Sequence, residues 1–309
     1  MALPDRTPTA ATLTLVVVLL AVAACSGSAS STPAPTPSAT ATHPTAASAT
    51  APSAPPPAGL SASLVQYRRD QPRRFVEVKL DNRTDTTLDV TLLGVTLPGF
   101  ESPQDIRRTT RLEPDRRVDL PVALGNVVCA RDPVGTASAT VDVARDSGTS
   151  VRTTLPVDDG GLLDRLRDFE CAIAQAVEVV EIELSPTWRQ RGSGAELTVE
   201  GKATIRSRSP AVPVEVTAVN GNLLFAVEPE TIDPRPPVTV DAQRPEARVT
   251  FAAIPARCDG HAIAEARRLT TFAFLVAVDG AQPVPLRRAP AEDGYQTLIS
   301  ALRERCGIS

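Results

Sequence analysis

Aromatic side chains are scarce in this chain of 309 residues: seven Phe, two Tyr and one Trp, 3% in all. Its cores must therefore be filled by Val, Leu, Ile and Ala, a mixture rich in β-branched residues that suits strands better than helices. Lysine is almost missing, Lys79 and Lys202 being the only two, so arginine carries nearly all the positive charge. With abundant Ala, Val and Pro, this bias reads as high-GC coding. The formal net charge is -4. The electrostatic footprint that nucleic-acid binding needs is therefore lacking. Gly-rich phosphate loops are absent too, and Gly192-Ser193-Gly194 lacks the flanks of a nucleophile elbow. No cofactor and no catalytic set is expected. None of the five cysteines stands in C-x-x-C spacing, which argues against redox and zinc motifs.

The N-terminus has what the rest lacks, a long apolar run. Leu13 to Ala24 is apolar apart from one Thr, follows Arg6, and ends at Cys25. That length suits the h-region of a signal peptide and falls short of the roughly 20 residues of a membrane-spanning helix. Val22-Ala23-Ala24-Cys25 resembles a lipobox, the signal for attaching a diacylglycerol to the cysteine sulfur before cleavage. Residues 1–24 are expected to be a lipoprotein signal peptide, and Cys25 the lipidation site. From Ser26 to about Ala58 the chain is almost wholly Ser, Thr, Pro, Ala and Gly, with His43 the exception. Residues 25–58 are thus expected to form a lipidated, disordered stalk, spanning roughly 30 Å as a coil and about 100 Å as polyproline II. Lipobox, low-complexity stalk and Arg-rich body together resemble secreted lipoproteins of actinobacterial type. That resemblance implies an extracytoplasmic address on the outer face of the cytoplasmic membrane, and carries over no catalytic residue.

Beyond the stalk the sequence repeats itself. Cys129 and Cys171 are 42 positions apart, Cys258 and Cys306 are 48 apart, and the surroundings match. Val76–Leu80, a polar turn and Leu88–Leu93 precede the first pair; Ala203–Ile205, a polar turn and Val212–Val216 precede the second. Asp158-Asp159-Gly160 and Glu292-Asp293-Gly294 each lead into a helical pattern before the second cysteine. A tandem duplication follows, with repeat 1 over residues 59–175 and repeat 2 over 176–309. Of three ways to pair four exported cysteines, the repeat selects Cys129 with Cys171 and Cys258 with Cys306. Loops of that size contribute about 4 kcal/mol each in the chain-entropy account.

Within each repeat the hydrophobic period is two, and turn signals recur at Leu97-Pro-Gly99, Asp146-Ser-Gly148, Val219-Asn-Gly221 and Asp279-Gly280. The expected fold is mainly β: two tandem immunoglobulin-like β-sandwich domains, each closed by a C-terminal helix and one disulfide. In the second helix Tyr295, Ile299, Leu302 and Cys306 share one stripe. In the first, Leu162, Leu166, Phe169 and Ile173 do, and Cys171 points away, which calls for a helix that ends or bends before the cysteine.

Three positions merit a chemical reading. Asp259, His261 and Glu265 place the one histidine of the body between carboxylates, with His261 and Glu265 on one helical face, a seed for a metal-binding or hydrolytic module that lacks a third ligand. Trp188 either packs into its own core or offers a contact to a partner. Asn82-Arg83-Thr84 matches a glycosylation triplet and reads more simply as a turn. The function these features suggest is a non-catalytic envelope module binding a protein or surface polymer, held to the membrane by its lipid anchor. A small-ligand carrier between the repeats is the further alternative.

Overall fold

The computed structural model describes residues 54–103, 106–130, 135–145, 148–265 and 271–308. Alternation builds its strands. In β2 (Phe75–Asn82) the side chains of Val76, Val78 and Leu80 are fully buried. Antiparallel neighbours extend that dry face: β1 (Leu60–Val65) sets Leu64 beside Val78, and β5 (Arg117–Ala123) sets Leu120 there. The other layer comprises β3 (Leu88–Thr96), β4 (Arg108–Leu112), β6 (Ser138–Arg145) and β7 (Val151–Asp158). The strand order is β4-β3-β6-β7-β1-β2-β5, and β1 joins β7 through only two parallel residue pairs. The sheet therefore folds over at that seam into two facing layers around one aliphatic core.

The second half repeats this plan. Its strands are β8 (Val180–Leu184), β9 (Arg189–Arg191), β10 (Thr198–Ser207), β11 (Val214–Asn220), β12 (Phe225–Ala226), β13 (Val238–Val240), β14 (Glu246–Pro255), β15 (Phe272–Val278) and β16 (Val284–Arg288). One sheet runs β12-β14-β10-β8 and the other β13-β11-β15-β16. These correspond to β5-β2-β1 and β4-β3-β6-β7, with β12 and β9 added at the margins. Even a register shift recurs, between Leu92 and Gly94 in β3 and between Val216 and Ala218 in β11. Asp279-Gly280 closes the β15–β16 hairpin with φ of 50° and 72°, a turn with positive φ at both central positions that matches the strand twist.

Helix α1 (Leu162–Val179) follows β7, and α3 (Glu292–Cys306) follows β16; α2 (Gly260–Glu265) is a short helix between β14 and β15. α1 neither ends nor bends before Cys171. It runs on through the cysteine because both of its ends find a core: Leu163 is buried in the first, Ala176 in the second. An Asp does not serve as N-cap residue in either long helix. Gly161 and Ala291 hold those positions, and Asp159 instead accepts the Leu163 amide at 2.9 Å. The dry stripe of α3 is also displaced, to Gly294, Leu298, Ala301 and Leu302. Disulfides join Cys129 to Cys171 on α1 and Cys258 to Cys306 on α3, each after the last strand of the β1-like layer.

Candidate functional site

The residues that drew attention in the sequence do not converge on one site. Cys25, the signal segment and nearly all of the stalk lie outside the described residues. Asp259 is occupied structurally: its carboxylate accepts the Ala262 amide at 2.8 Å and Arg257 Nε at 3.0 Å, capping α2. The Ala262 hydrogen bond, helped by Arg257, holds that carboxyl below its ordinary range against the opposing effect of burial. His261 is exposed on the same turn, and the side chain of Glu265 lies outside the described residues. Among the described residues no three His, Cys, Asp or Glu gather into a group able to hold a metal. Asn82 is fully buried, donates to the carbonyls of Thr86 and Leu112 and accepts from Thr84, so its amide fixes a turn.

Trp188 is a core residue and not a partner contact. Only 6% of it is exposed; its ring stacks on Phe272 with centroids 5.4 Å apart and stands edge-on to Phe251 at 5.6 Å. Two glycines make the room. A Cβ on Gly201 of β10 would sit 2.5 Å from Trp188 Cη2, and one on Gly294 of α3 would sit 2.6 Å from Nε1. A ring enclosed between strand and helix presents no face to solvent.

Two carboxylates are buried in the first half, where the alternation of β2 points Glu77 away from the core. The β1–β2 connection folds back over that outer face, leaving Glu77 5% and Asp70 3% exposed. One oxygen of each, Asp70 Oδ2 and Glu77 Oε2, has no hydrogen-bond partner. Burial pushes the Glu77 carboxyl up, and Asp70 and Asp119 push it the same way, while Arg69 and Arg73 oppose. Tyr67 closes the cluster by donating to Asp119 at 2.6 Å.

A groove lies where α1 passes between the two cores. Phe169, Ile173 and Val177 stand four residues apart and so form one stripe on α1. Phe169 is 47% exposed and Val177 40%. Across from them stand Leu223, Pro285 and Leu286, with Gln71 and Pro72 of the first half, around a groove of about 740 Å³. Leu223, 40% exposed, is propped outward by an Asx turn in which Asn222 Oδ1 accepts the amides of Leu224 and Phe225.

No family profile and no curated protein matches the chain. Solved structures similar to parts of it include red sea bream transglutaminase, at 7% identity and a TM-score of 0.21 over 76% of this chain. The match spans 31% of that enzyme. A protein of unknown function from Porphyromonas gingivalis W83 aligns at 16% identity and a TM-score of 0.20, over 74% of this chain and 96% of that one. The B domain of a biofilm-associated protein aligns at 8% and 0.19, over 76% and 86%. Likeness at that level carries no argument for fold or function.

Among the described residues that line the groove the charged ones are Arg287 and Arg288 of β16, both cationic. Arg288 is anchored by donating its Nε to the Ile182 carbonyl at 2.9 Å, and burial together with nearby Arg208 lowers its basicity, Glu181 opposing. Arg208 also caps α1, its backbone amide donating to the Val179 carbonyl at 2.8 Å and its Nη1 to the Val177 carbonyl at 3.2 Å. Arg74 ties the first half to the same helix through Glu170, with Nη2 to Oε2 at 2.6 Å. Sequence reasoning missed this site because Phe169 and Ile173 share a periodic stripe that reads as core. The two disulfides point to an extracytoplasmic location. No described helix is long and apolar enough to cross a membrane.

Proposed function

We propose that the protein is an exported lipoprotein, lipidated at Cys25, whose stalk carries two tandem immunoglobulin-like sandwiches that bind a ligand without transforming it. The matching strand orders support the tandem reading, since two facing layers of three and four strands suit an immunoglobulin-like topology. A terminal helix and one disulfide close each copy. The observation that carries the binding role is the convergence of Phe169, Val177 and Leu223, three of the five large hydrophobic side chains exposed among the described residues, on one groove. Exposed apolar surface gathered in a concavity costs solubility and stability, and is retained where something is bound. The Asp259 carboxylate is committed to capping α2, which favours the binding reading over a hydrolytic one.

Two measurements test it. Radiolabelled palmitate fed to cells should enter the chain and fail to enter the Cys25→Ser variant; equal labelling removes the lipid anchor. A photo-crosslinking residue at position 169 in intact cells should give a discrete adduct, while one at Arg111 on the far face of β4 gives none. Indistinguishable patterns at the two positions remove the groove as the binding site.

A further inference from the structure

We propose that the groove between α1 and β16 takes a single-chain anionic amphiphile, a long-chain carboxylate whose tail lies along Phe169, Ile173 and Val177 and whose head meets Arg287 and Arg288. The inference rests on the reading of this groove as the binding site and adds the chemical class of its ligand. Three observations lead there. Its volume, about 740 Å³, falls in the range of roughly 300–1,000 Å³ typical of small-ligand sites. The α1 wall, Phe169, Ile173 and Val177, is wholly apolar; the facing side mixes Leu223 and Pro285 with Asn222, Thr271, Arg287 and Arg288, and the Asn222 amide is engaged with its own turn and with the Thr271 carbonyl. Against the α1 wall a peptide would leave its donors and acceptors unpaired, whereas a hydrocarbon tail leaves none. Finally, the charged residues that line the groove among those described, Arg287 and Arg288, are cationic in a chain of net charge -4, which favours an anionic head.

The head-group contact follows from how the arginines are held. Arg288 spends Nε on the Ile182 carbonyl and Nη1 on the Arg287 carbonyl, which fixes its guanidinium and leaves Nη2 unassigned. Arg287 is exposed and makes no ion pair among the described residues. A carboxylate at Arg287 gains charge-assisted hydrogen bonds, and Arg288, turned toward β8, adds its positive charge at the same end of the groove.

The test uses the full lipidated chain in phosphatidylcholine nanodiscs and a palmitate analogue with a mid-chain diazirine, beside the matching neutral alcohol. Irradiation and peptide mapping should place the palmitate adduct on the α1 peptide holding Phe169 or on the loop holding Leu223. The alcohol should label at least tenfold less. Arg287→Glu should lower palmitate labelling more than tenfold and Arg287→Lys should keep most of it; Arg287 is exposed, so neither change threatens the fold. Equal labelling by acid and alcohol overturns the anionic class and leaves the groove as a binding site. Labelling of neither α1 nor the Leu223 loop by either probe overturns both. Displacement of palmitate on replacing phosphatidylcholine with phosphatidylglycerol overturns the choice of a free carboxylate in favour of a membrane lipid.

Discussion

The two halves share a strand order and build it from opposite cores. In the second, Trp188, Phe251, Phe272 and Phe274 form a chain of ring contacts with centroids 5.2–6.0 Å apart. In the first, the buried set is aliphatic apart from Phe100, and all four buried polar or charged residues among those described, Asp70, Glu77, Asn82 and Thr153, lie there. The divergence starts at one connection. Between β8 and β10 the chain drives Trp188 inward; between β1 and β2 it turns outward, keeps Tyr67 at the surface cluster and lays Asp70 over Glu77. Alternation and connection order thus specify this topology, while core composition is free to change provided volume is conserved. Stability should differ accordingly, resting on ring packing in one half and compromised by confined charge in the other.

The largest effect expected is at the ring cluster. Phe251→Ala should cost about 3–5 kcal/mol, since Phe251 is fully buried and touches Trp188, Phe272 and Phe274. Hydrogen exchange read by mass spectrometry should show β10, β14 and β15 losing protection while β2, β3 and β6 keep theirs. Uniform loss across both halves would mean that they unfold as one and that the contrast has no energetic meaning. Next come the bridges. Replacing both cysteines of either pair with alanine should cost about 2–4 kcal/mol by freeing loops of 42 or 48 positions. Thermal scans of the two double variants should shift to similar extents if the repeats are equivalent in this respect.

Much of the fold could be read in advance, and what could not shares one cause. Val76-Val78-Leu80 and the Asp279-Gly280 turn are local signals, and the structure carries β2 and the β15–β16 hairpin where they lie. Matching the two cysteine spacings led to the bonds Cys129–Cys171 and Cys258–Cys306. By contrast, the face of Glu77 is set by a loop returning over it, and no local pattern shows a loop's path. The exposed stripe of α1 escaped because a helix shared between two cores has a different buried side at each end. The pocket for Trp188 joins positions 188, 201 and 294, far apart in sequence. One signal was available: Gly201 interrupts an alternating apolar run, and a glycine inside a strand marks close approach of another group.

That glycine gives a smaller, sharper test of the contrast. Gly201→Ala should cost about 1–3 kcal/mol by forcing a methyl group into the Trp188 ring, and should shift the Trp188 emission as the ring moves. Gly94→Ala in β3 of the first half is the matched control, because nothing lies within 4 Å of its added Cβ. It should be neutral or stabilise by a few tenths of a kcal/mol, as reduced freedom of the unfolded chain predicts. Equal losses would show that the second core is no more tightly filled than the first.

The smallest effect expected has the opposite sign. Glu77→Gln should stabilise the first half at neutral pH by about 1 kcal/mol, the scale of one orphaned buried acceptor, because an amide can donate to the unpartnered Asp70 Oδ2. The pH dependence supplies the check. Burial, with Asp70 and Asp119 behind it, raises the Glu77 carboxyl above its ordinary value of 4.5 in the folded state. The folded protein therefore holds that proton more tightly than the unfolded one, so the contribution of Glu77 to stability is present below 4.5 and is lost as pH rises through the raised folded value. Denaturation midpoints of the wild type should fall across that window relative to Glu77→Gln, and the two curves should run parallel at higher pH. Parallel curves throughout would mean that the carboxylate stays ionised and solvated in the fold, and that the first half pays nothing for the loop laid over β2.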